Sequence, residues 1–469
     1  MDHWQDLLID LVVIAVFIAG IAQFRTPKGA RRGNITTALA FAAALGLLVS
    51  RHTIAEPWVV AAAAVVGGAL GLLVSARITM TRIPALIALQ NGAGGGASLI
   101  VSAVELARMD AEAGVLPVAF GVAAALVGGV ALAGSAIAAA KLDGRMDGRP
   151  RTAPGHDLAI LMLVAAVASM GVLLLSVTGV QRIAAVAILA GAALVLGAAL
   201  SIRVGGADMP VMISLLNAFS GLAAAFVGVS IANQMLVAAG AMVGSSGTIL
   251  TLVMAKAMNR SVGAILTGRQ LAASQAAPPA EPASAIGEAG PRPAASADDA
   301  LREARSVLAG ATSVIIVPGY GMALAQAQHE VAALAKRLSA AGKLVRFAVH
   351  PVAGRMPGHM HVLLAEADVD YDDLYEMDAI NDDFASTDVA IVVGASDVVN
   401  PAAITAADTP ISGMPILRVH EAGAVIVCNL DGRPGYSGVP NPLYDDPKAI
   451  LLFGDAKDSV TGLIGGNGS

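Results

Sequence analysis

The residues best suited to chemistry follow an apolar segment in the C-terminal half of the chain. Residues 313–317 have the β-branched pattern of a buried strand, and residues 323–341 have a helix-like pattern. A glycine turn joins them, made of Gly319, Tyr320, Gly321, Met322 and Ala323. Backbone N–H groups and the positive end of a helix can bind a pyrophosphate at such a junction. Because Leu324 replaces the usual third Gly or Ala, the turn alone is a weak signal.

Two further polar loops follow predicted strands. The loop at 350–360 contains His350, Gly354, Arg355, Met356 and Pro357. The loop at 394–401 contains Asp397 and Asn400. Ligands of open α/β sheets bind at the carboxyl ends of strands, so three such loops predict a binding site at one sheet edge. A metal at His350, His359 and His361 is a minor alternative, because no cysteine or carboxylate nearby completes a ligand set.

The elements that must position these loops are short apolar strands. Five candidates lie at 313–317, 344–349, 389–393, 416–419 and 425–427. Helix-like segments separate several of them, a pattern typical of a parallel sheet with helices on both faces. The sequence therefore predicts an α/β parallel-sheet domain of dinucleotide-binding type over residues 301–469.

The N-terminal half has the composition of a membrane protein. The chain is 56% hydrophobic and 14% charged, outside the range of soluble domains. Nine apolar segments are long enough to cross a bilayer. They lie at 7–24, 34–50, 57–76, 84–106, 116–140, 157–178, 182–202, 209–231 and 234–257. We therefore expect an α-helical membrane bundle of nine spans over residues 1–265.

Basic residues between the spans predict the orientation of the bundle. They are concentrated in the first, third and fifth loops and after the last span, at Arg25, Lys28, Arg31, Arg32, Arg77, Arg82, Lys141, Arg145, Arg149, Arg151, Lys256, Arg260 and Arg269. Basic loops stay in the cytoplasm. The N-terminus is therefore expected outside and the C-terminal domain in the cytoplasm, with nine spans satisfying that parity.

Polar residues within apolar spans are costly and often functional. The candidates for a proton path or its coupling are Asn91, Asn217, Ser135, Ser245, Ser246 and Asp208. Asparagine orients water but does not titrate. Ser135 is equally well explained as a bridge between helices. Asp208 stands before the eighth span, either as a helix N-cap or as a coupling residue that faces the soluble domain.

Charge and linker composition separate the two halves. Residues 266–300 are rich in Ala, Pro and Ser and predict a flexible linker. The first 265 residues carry 16 Lys and Arg against 11 Asp and Glu, and the remainder carries 13 against 24. An acidic soluble domain argues against a nucleic-acid partner. The single cysteine, Cys428, excludes an internal disulfide.

Several segments together resemble the beta subunit of proton-translocating nicotinamide nucleotide transhydrogenase. In the soluble half they are residues 319–323, 353–360, 377–384, 399–402, Gly435 with Tyr436, and Phe453 with Gly454, Asp455, Ala456 and Lys457. In the membrane half they are residues 208–210, Asn217 and residues 243–247. The resemblance covers nearly the whole chain.

The resemblance implies a mechanism and partners. A partner alpha subunit, with further membrane helices, would hold NAD(H). The Rossmann-like domain of this chain would bind NADP(H), and hydride would pass directly between the nicotinamides, so no catalytic side chain is expected. Proton flow through the bundle would change the state of that domain. A dimer of alpha-beta units in the bacterial inner membrane is also implied.

Two departures from the family pattern are visible. Many members have a histidine where this chain has Asn91, so the titrating group is expected in the partner subunit or in water near Asp208. Members usually have Lys-Arg-Ser, which holds the 2′-phosphate of NADP, where this chain has Asn429, Leu430 and Asp431. Both cations are lost, and we expect weakened NADP(H) preference with NAD(H) use, unless Arg433 binds the phosphate.

Two other classes of function remain alternatives. In a nucleotide-gated membrane protein, cofactor binding would regulate the bundle without productive hydride exchange. A transporter with a regulatory nucleotide domain has less support, because no pair of spans shows the broken, charged sites or inverted repeats expected of it.

Overall fold

A computed structural model describes most of the chain. The described residues are 3–23, 27–51, 56–109, 114–147, 150–152, 154–267, 297–356, 358–407 and 409–465. They form two compact units. The first comprises Met1–Ala136, Asp157–Ala198 and Leu216–Gly247; the second comprises Ile137–His156, Ala199–Leu215 and Thr248–Ser469. Most of the predicted linker, from 268 to 296, lies outside the described residues.

Nine long helices in the described part of the chain correspond to the predicted spans. They are α1 (His3–Ala22), α2 (Pro27–Arg51), α3 (Pro57–Arg77), α4 (Ile83–Arg108), α5 (Val115–Leu142), α6 (His156–Leu173), α7 (Gly179–Ile202), α8 (Met209–Ser230) and α9 (Gln234–Ala257). Among the described residues, eight have the length and hydropathy of membrane spans, and α1 contributes the shorter apolar segment Leu8–Ala22. The predicted membrane bundle is confirmed.

Small residues allow the helices of the first unit to approach closely. A Cβ added at Gly95 of α4 would lie 2.6 Å from Ala131 Cβ and 2.7 Å from the Gly128 carbonyl oxygen of α5. A Cβ at Gly240 of α9 would lie 2.7 Å from the Gly221 carbonyl oxygen of α8. Such contacts replace hydrophobic burial as a source of helix association in lipid.

The C-terminal part of the second unit contains one six-stranded parallel sheet. Its strands are β1 (Ser313–Pro318), β2 (Leu344–Val349), β3 (Leu374–Glu376), β4 (Val389–Val393), β5 (Ala424–Asn429) and β6 (Ala449–Phe453), in the order β3-β2-β1-β4-β5-β6. All five strand pairings are parallel. Every residue of β4 is buried, as expected for a central strand covered on both faces. The predicted parallel-sheet class is confirmed.

The structure corrects the strand prediction at three places. Residues 416–419 do not form a strand. Their buried apolar side chains pack on the core, but the backbone bonds to a side chain and a loop: Asn381 Nδ2 donates to the Ile416 carbonyl, and Leu417 N–H donates to the Val398 carbonyl. The strands β3 and β6 were missed.

The helix predicted at 323–341 is interrupted. A short helix, Tyr320–Leu324, ends before a second helix, Gln328–Ala340. Gln326 between them has φ +53°, in the left-handed region that a continuous right-handed helix does not contain. Apolar residues lie on both sides of the break, which explains why the pattern alone suggested one helix.

Candidate functional site

The glycine turn lies where the strand order reverses direction. β1 and β4 are neighbours although β2 and β3 lie between them in sequence, and ligands of open α/β sheets bind at such a switch point. Gly319 N–H donates to the Val393 carbonyl at 2.8 Å, and Gly321 N–H donates to the Gly394 carbonyl at 2.8 Å. A Cβ at Gly321 would lie 2.6 Å from Gly394 Cα. The glycines therefore let two strand-end loops touch through their backbones.

A cavity of roughly 520 Å³ opens beside this turn. Eight of the predicted cofactor-binding residues line it: Gly319, Tyr320, Gly321, Gly354, Arg355, Asp397, Gly435 and Tyr436. The volume is in the range of small-molecule and cofactor sites. The structure thus brings together loops that follow β1, β2, β4 and β5.

An arginine and two tyrosines form one wall of the cavity. The Arg355 guanidinium carbon lies 4.4 Å from the centroid of the Tyr320 ring, and Arg355 Nη2 donates to the Tyr436 hydroxyl at 2.8 Å. Arg355 Nη1 also donates to the Leu142 carbonyl at 3.3 Å. A cation over an aromatic ring is attracted to its electron-rich face. These contacts hold a positive charge and two aromatic rings at the cavity.

Asp397 joins two of the lining loops. Its carboxylate accepts hydrogen bonds from the Ser437 hydroxyl at 2.6 Å and from Ser437 N–H at 3.0 Å. Burial raises the pKa of Asp397, while the bonds from Ser437 oppose that shift. A Cβ at Gly435 would lie 2.8 Å from the carboxylate oxygens, so a glycine is required there. The role visible for Asp397 is to position the loop that contains Tyr436.

Two buried histidines form hydrogen bonds with backbone groups near the cavity. Val352 N–H donates to His350 Nδ1 at 3.2 Å, and His350 Nε2 lies 2.9 Å from the Pro415 carbonyl. Arg355 N–H donates to His359 Nδ1 at 3.1 Å. Burial lowers the pKa of each of these two imidazoles to about 4. Among the described residues no group of three or more His, Cys, Asp or Glu side chains is arranged for a metal ion.

The loop after β5 contains a closed ion pair. Asp431 accepts hydrogen bonds from Arg433 N–H at 2.9 Å and Arg433 Nε at 2.7 Å, and the Arg433 guanidinium also forms a salt bridge with it. The bonds from Arg433 lower the pKa of Asp431. Leu430 lines the cavity. Asn429 is buried, and its amide donates to the Ala395 carbonyl and the Tyr444 hydroxyl, each at 2.8 Å.

The remaining predicted cofactor residues do not line the cavity. Met322, Ala323, Met356 and Asn400 are buried. Asn400 Nδ2 donates to the Pro440 carbonyl at 3.2 Å. Beyond β6, Asp455 accepts a hydrogen bond from Lys457 N–H as a helix N-cap, and Lys457 pairs with Glu330 at 3.1 Å. Gly454 and Ala456 accompany that cap. Pro357 lies outside the described residues.

The polar residues predicted in the spans fall into two groups. In the first unit, Asn91 and Ser135 are buried, and a Cβ at Gly92 would lie 2.9 Å from Ser135 Cβ. Ser220 Oγ on α8 donates to the Asn217 carbonyl at 2.8 Å. By contrast, Ser245 and Ser246 are exposed on α9. Their predicted role in a proton path stays a prediction.

Asp208 belongs to the second unit and has a cationic partner. Arg260 Nη1 donates to both carboxylate oxygens, at 2.6 and 2.7 Å. Asp208 is fully buried, and burial raises its pKa while Arg260 opposes that shift. Arg260 also lines the cavity. The carboxylate is therefore connected to the cavity through one side chain.

Sequence reasoning missed several lining residues. Gly206, Met258 and Arg260 come from the ends of the membrane helices, and Pro410, Ile411 and Met414 come from a loop before β5. The first three lie at least 58 positions before the glycine turn in the sequence, so no local pattern relates them to it. For Gly394, another lining residue, its position directly after a predicted strand was the signal in the sequence that could have placed it at the cavity.

The chain combines helices of membrane length with a parallel sheet that has a cavity at its switch point. These features define a class of membrane proteins that contain a soluble domain of nucleotide-binding type. Comparison with known proteins identifies the family. The family model for the NAD(P) transhydrogenase beta subunit matches residues 7–465. The chain is 41% identical to NAD(P) transhydrogenase subunit beta of Rhodospirillum rubrum over 99% of both chains, and a second sequence from a named strain of that species matches equally.

The chain therefore belongs to the NAD(P) transhydrogenase beta subunit family. It is a membrane-embedded subunit of an oxidoreductase that works with a partner alpha subunit, and its family implies NADP(H) binding.

Proposed function

We propose that this chain is the proton-translocating, nucleotide-binding subunit of a transhydrogenase. Hydride would pass between NAD(H) on the alpha subunit and a dinucleotide in the cavity beside Gly319. The observation that carries the proposal is the cavity itself. It lies at the β1–β4 switch point of a chain whose described residues include eight helices with the length and hydropathy of membrane spans.

The lining residues fit a phosphate-bearing dinucleotide. Arg260 and Arg355 bring positive charge to the cavity, and Tyr320 and Tyr436 offer aromatic surface. The glycines that line the cavity leave room for the dinucleotide where larger residues would place side chains. When bound, the nicotinamide supplies the hydride-carrying carbon. The side chains of this chain then bind and orient the dinucleotide, and none is required as a nucleophile or general base.

Proton movement would be coupled to the cavity through Asp208 and Arg260. Asp208 is buried and pairs with Arg260 Nη1, and Arg260 lines the cavity. A change in nucleotide charge near Arg260 would change the field on Asp208, whose proton affinity follows nearby charge. Asn91, Ser135 and Asn217 would orient water along the helices. Because Asn91 does not titrate, the proton-carrying group would come from the alpha subunit.

The assembly and its orientation complete the proposal. The basic loops favour an external N-terminus and a cytoplasmic sheet domain in the bacterial inner membrane. Two alpha-beta units would form the complete enzyme, with residues 266–300 linking the membrane helices to the sheet domain.

The proposal is tested in sealed vesicles that contain the complete alpha-beta enzyme. We expect Asp208→Asn to reduce hydride transfer coupled to vesicle acidification by at least about 100-fold, since a buried charged partner is lost. Asp208→Glu should retain part of the activity. Asp383→Asn, which alters the exposed partner of Arg346 in the sheet domain, is the control. Full proton pumping by Asp208→Asn would reject the coupling role.

A second candidate concerns which dinucleotide occupies the cavity. Arg433, the one cation in the altered loop, already binds Asp431 through its backbone and side-chain nitrogens. The Asn429 amide is engaged within the fold. A 2′-phosphate would therefore meet an arginine that is already paired with an adjacent carboxylate. A carboxylate can instead accept hydrogen bonds from ribose hydroxyls. The ion pair favours NAD(H) use in this chain.

Titration of the complete enzyme with NADPH, NADP+, NADH and NAD+ tests this second candidate. We expect the Asn429→Lys/Leu430→Arg/Asp431→Ser variant to raise the NADPH-to-NADH affinity ratio by about 100-fold, because charge-assisted hydrogen bonds to phosphate are restored. Asp431→Ser alone should raise it less. Arg433→Gln separates the alternatives: a loss of NADPH affinity in that variant would show that Arg433 binds the phosphate and would overturn the NAD(H) interpretation.

A further inference from the structure

The first turn of α7 contains a buried arginine that has no acidic partner among the residues described. Arg182 is 1% exposed. Its Nε donates to the Leu106 carbonyl at 2.5 Å, and its Nη1 donates to the Val177 carbonyl at 3.2 Å. Among the residues that the structure describes, no carboxylate forms an ion pair with it. An unpaired charge in the interior of membrane helices is costly and marks a functional position more often than a structural one.

Two buried polar groups next to the Leu106 turn have no hydrogen-bond partner within the described part of the chain. They are Arg182 Nη2 and the hydroxyl of Ser102, which is 1% exposed and precedes Leu106 by one helical turn. Buried polar groups are almost always hydrogen-bonded to protein or to ordered water. Because protein partners are lacking in the described chain, internal water is the partner that fits both groups.

These two groups continue a polar line along α4. Asn91, Ser98 and Ser102 are separated by seven and four positions, and all three are buried. Spacings of three, four and seven lie on one face of a helix. The line leads from the middle of α4 to the end of the helix where Arg182 binds the Leu106 carbonyl.

We propose that Arg182 and Ser102 hold internal water at the end of this polar line, and that the fixed guanidinium charge limits passive proton leak through the helices. This role rests on the proposed proton translocation. A fixed positive charge in a narrow polar passage is an electrostatic barrier to an excess proton. Protons would therefore pass this position only when the enzyme cycle changes the surroundings of α4 and α7.

A purely structural role is the competing explanation. A cation that binds carbonyls at the C-terminal end of α4 also stabilises that helix end. Lys141 provides a matched case of that role within the same chain. It is buried, and its ammonium donates to the carbonyls of Ser201, Ile202 and Val204 at 3.3, 2.8 and 2.7 Å.

The test uses vesicles that contain the complete alpha-beta enzyme and no dinucleotide. A potassium diffusion potential drives protons inward, and a trapped pH-sensitive dye measures the passive leak. We expect Arg182→Gln to increase the leak by about tenfold, since one charge controls the barrier. Arg182→Lys, which keeps the charge, should stay within about twofold of the parent, and so should Lys141→Gln.

Coupled activity gives a second readout. With dinucleotides present, Ser102→Val should fill the water site and slow hydride-coupled proton uptake by about fivefold, without raising the leak. The Ser102→Val variant keeps both hydrogen bonds from Arg182 to backbone carbonyls. It therefore still tests the water site if the Arg182→Gln enzyme does not assemble.

The results separate this inference from the proposed function. An unchanged leak in Arg182→Gln, an equal increase in Lys141→Gln, or unchanged proton uptake in Ser102→Val would overturn the role of Arg182 and Ser102. Absence of acidification by the parent enzyme during hydride transfer would instead reject proton translocation, and the leak measurement does not depend on that result.

Discussion

Glycine serves close backbone approach in both the membrane helices and the sheet domain, but under different physical conditions. In the first unit, Gly95 and Gly128 lie inside regular helices that face each other. In the sheet domain, Gly394 has φ +68° and touches the Gly319–Gly321 turn. The helical glycines supply only space, whereas Gly394 supplies both space and a backbone conformation.

This difference predicts how well each region tolerates a side chain added at a glycine. Two helices in contact can separate by a few tenths of an ångström and keep their internal hydrogen bonds. The loops after β1 and β4 are attached to adjacent strands, and the N–H groups of Gly319 and Gly321 donate to the Val393 and Gly394 carbonyls, so the loops have less freedom to separate. The same added methyl group should therefore cost more in the sheet domain.

The largest expected effect is that of Gly394→Ala. Left-handed backbone costs an alanine roughly 1–2 kcal/mol, and overpacking adds about 1–3 kcal/mol. We expect a total loss of about 2–5 kcal/mol in unfolding free energy, together with loss of dinucleotide binding, measured by denaturant unfolding and ligand titration. Gly342→Ala is the control, because Gly342 has φ +82° and nothing within 4 Å of an added Cβ. Equal losses in the two variants would contradict the role of the loop contact.

A second contrast between the two regions is how their stability depends on pH. Burial lowers the pKa of His350 in the folded protein to about 4. Its ordinary pKa is about 6.5, so between pH 6.5 and pH 4 the imidazole is protonated in the unfolded chain but not in the folded protein. The stability contribution is present above pH 6.5 and is lost as the pH falls towards 4. It amounts to about 3 kcal/mol for His350. His359 acts in the same direction. The membrane helices have no comparable buried histidine among the residues described.

Scanning calorimetry of the full chain between pH 7.5 and 4.5 checks this contrast. The transition of the sheet domain should move to lower temperature as the pH falls. His350→Gln should flatten that dependence, whereas His329→Gln, at an exposed position, should leave it unchanged. An equal slope in the parent and in His350→Gln would remove His350 as the cause.

The smallest expected effect is that of Gly95→Ala in the helices. Its Cβ would contact Ala131 and Gly128, and we expect a loss of about 1–3 kcal/mol, partly relieved by helix movement. Thermal unfolding in detergent measures it. Gly191→Ala, on α7 with nothing within 4 Å of the added Cβ, should be close to neutral. A loss at Gly95 larger than that at Gly394 would reverse the comparison between the two regions.

Much of the fold was predictable because its signals are local. The spans, four of the five predicted strands and the position of the glycine turn follow from hydropathy and β-branched runs. Residues 416–419 have the same local pattern but bond to Asn381 and Val398. Their apolar character reports burial against the core, and burial alone does not specify strand pairing.

The candidate site was predictable only in part. Loops that follow parallel strands meet at one sheet edge, so Gly319, Arg355 and Asp397 could be placed together from sequence. Arg260 could not, because its position depends on the packing of the α9 end beside the cavity. The partner of Arg433 could not be predicted either. The sequence left open whether its side chain binds Asp431 or a bound phosphate.

By itself, the sequence determined the membrane helices, the parallel-sheet class, the glycine turn and the replacement of two cations by Asn429 and Leu430. These depend on residue type and short spacing. Only the tertiary structure decided that Arg433 pairs with Asp431, that Arg260 connects Asp208 to the cavity, and that Arg182 is buried with no carboxylate partner among the residues described. The reason is physical: composition specifies which charges exist, but their energies depend on burial and on partners brought together by the fold.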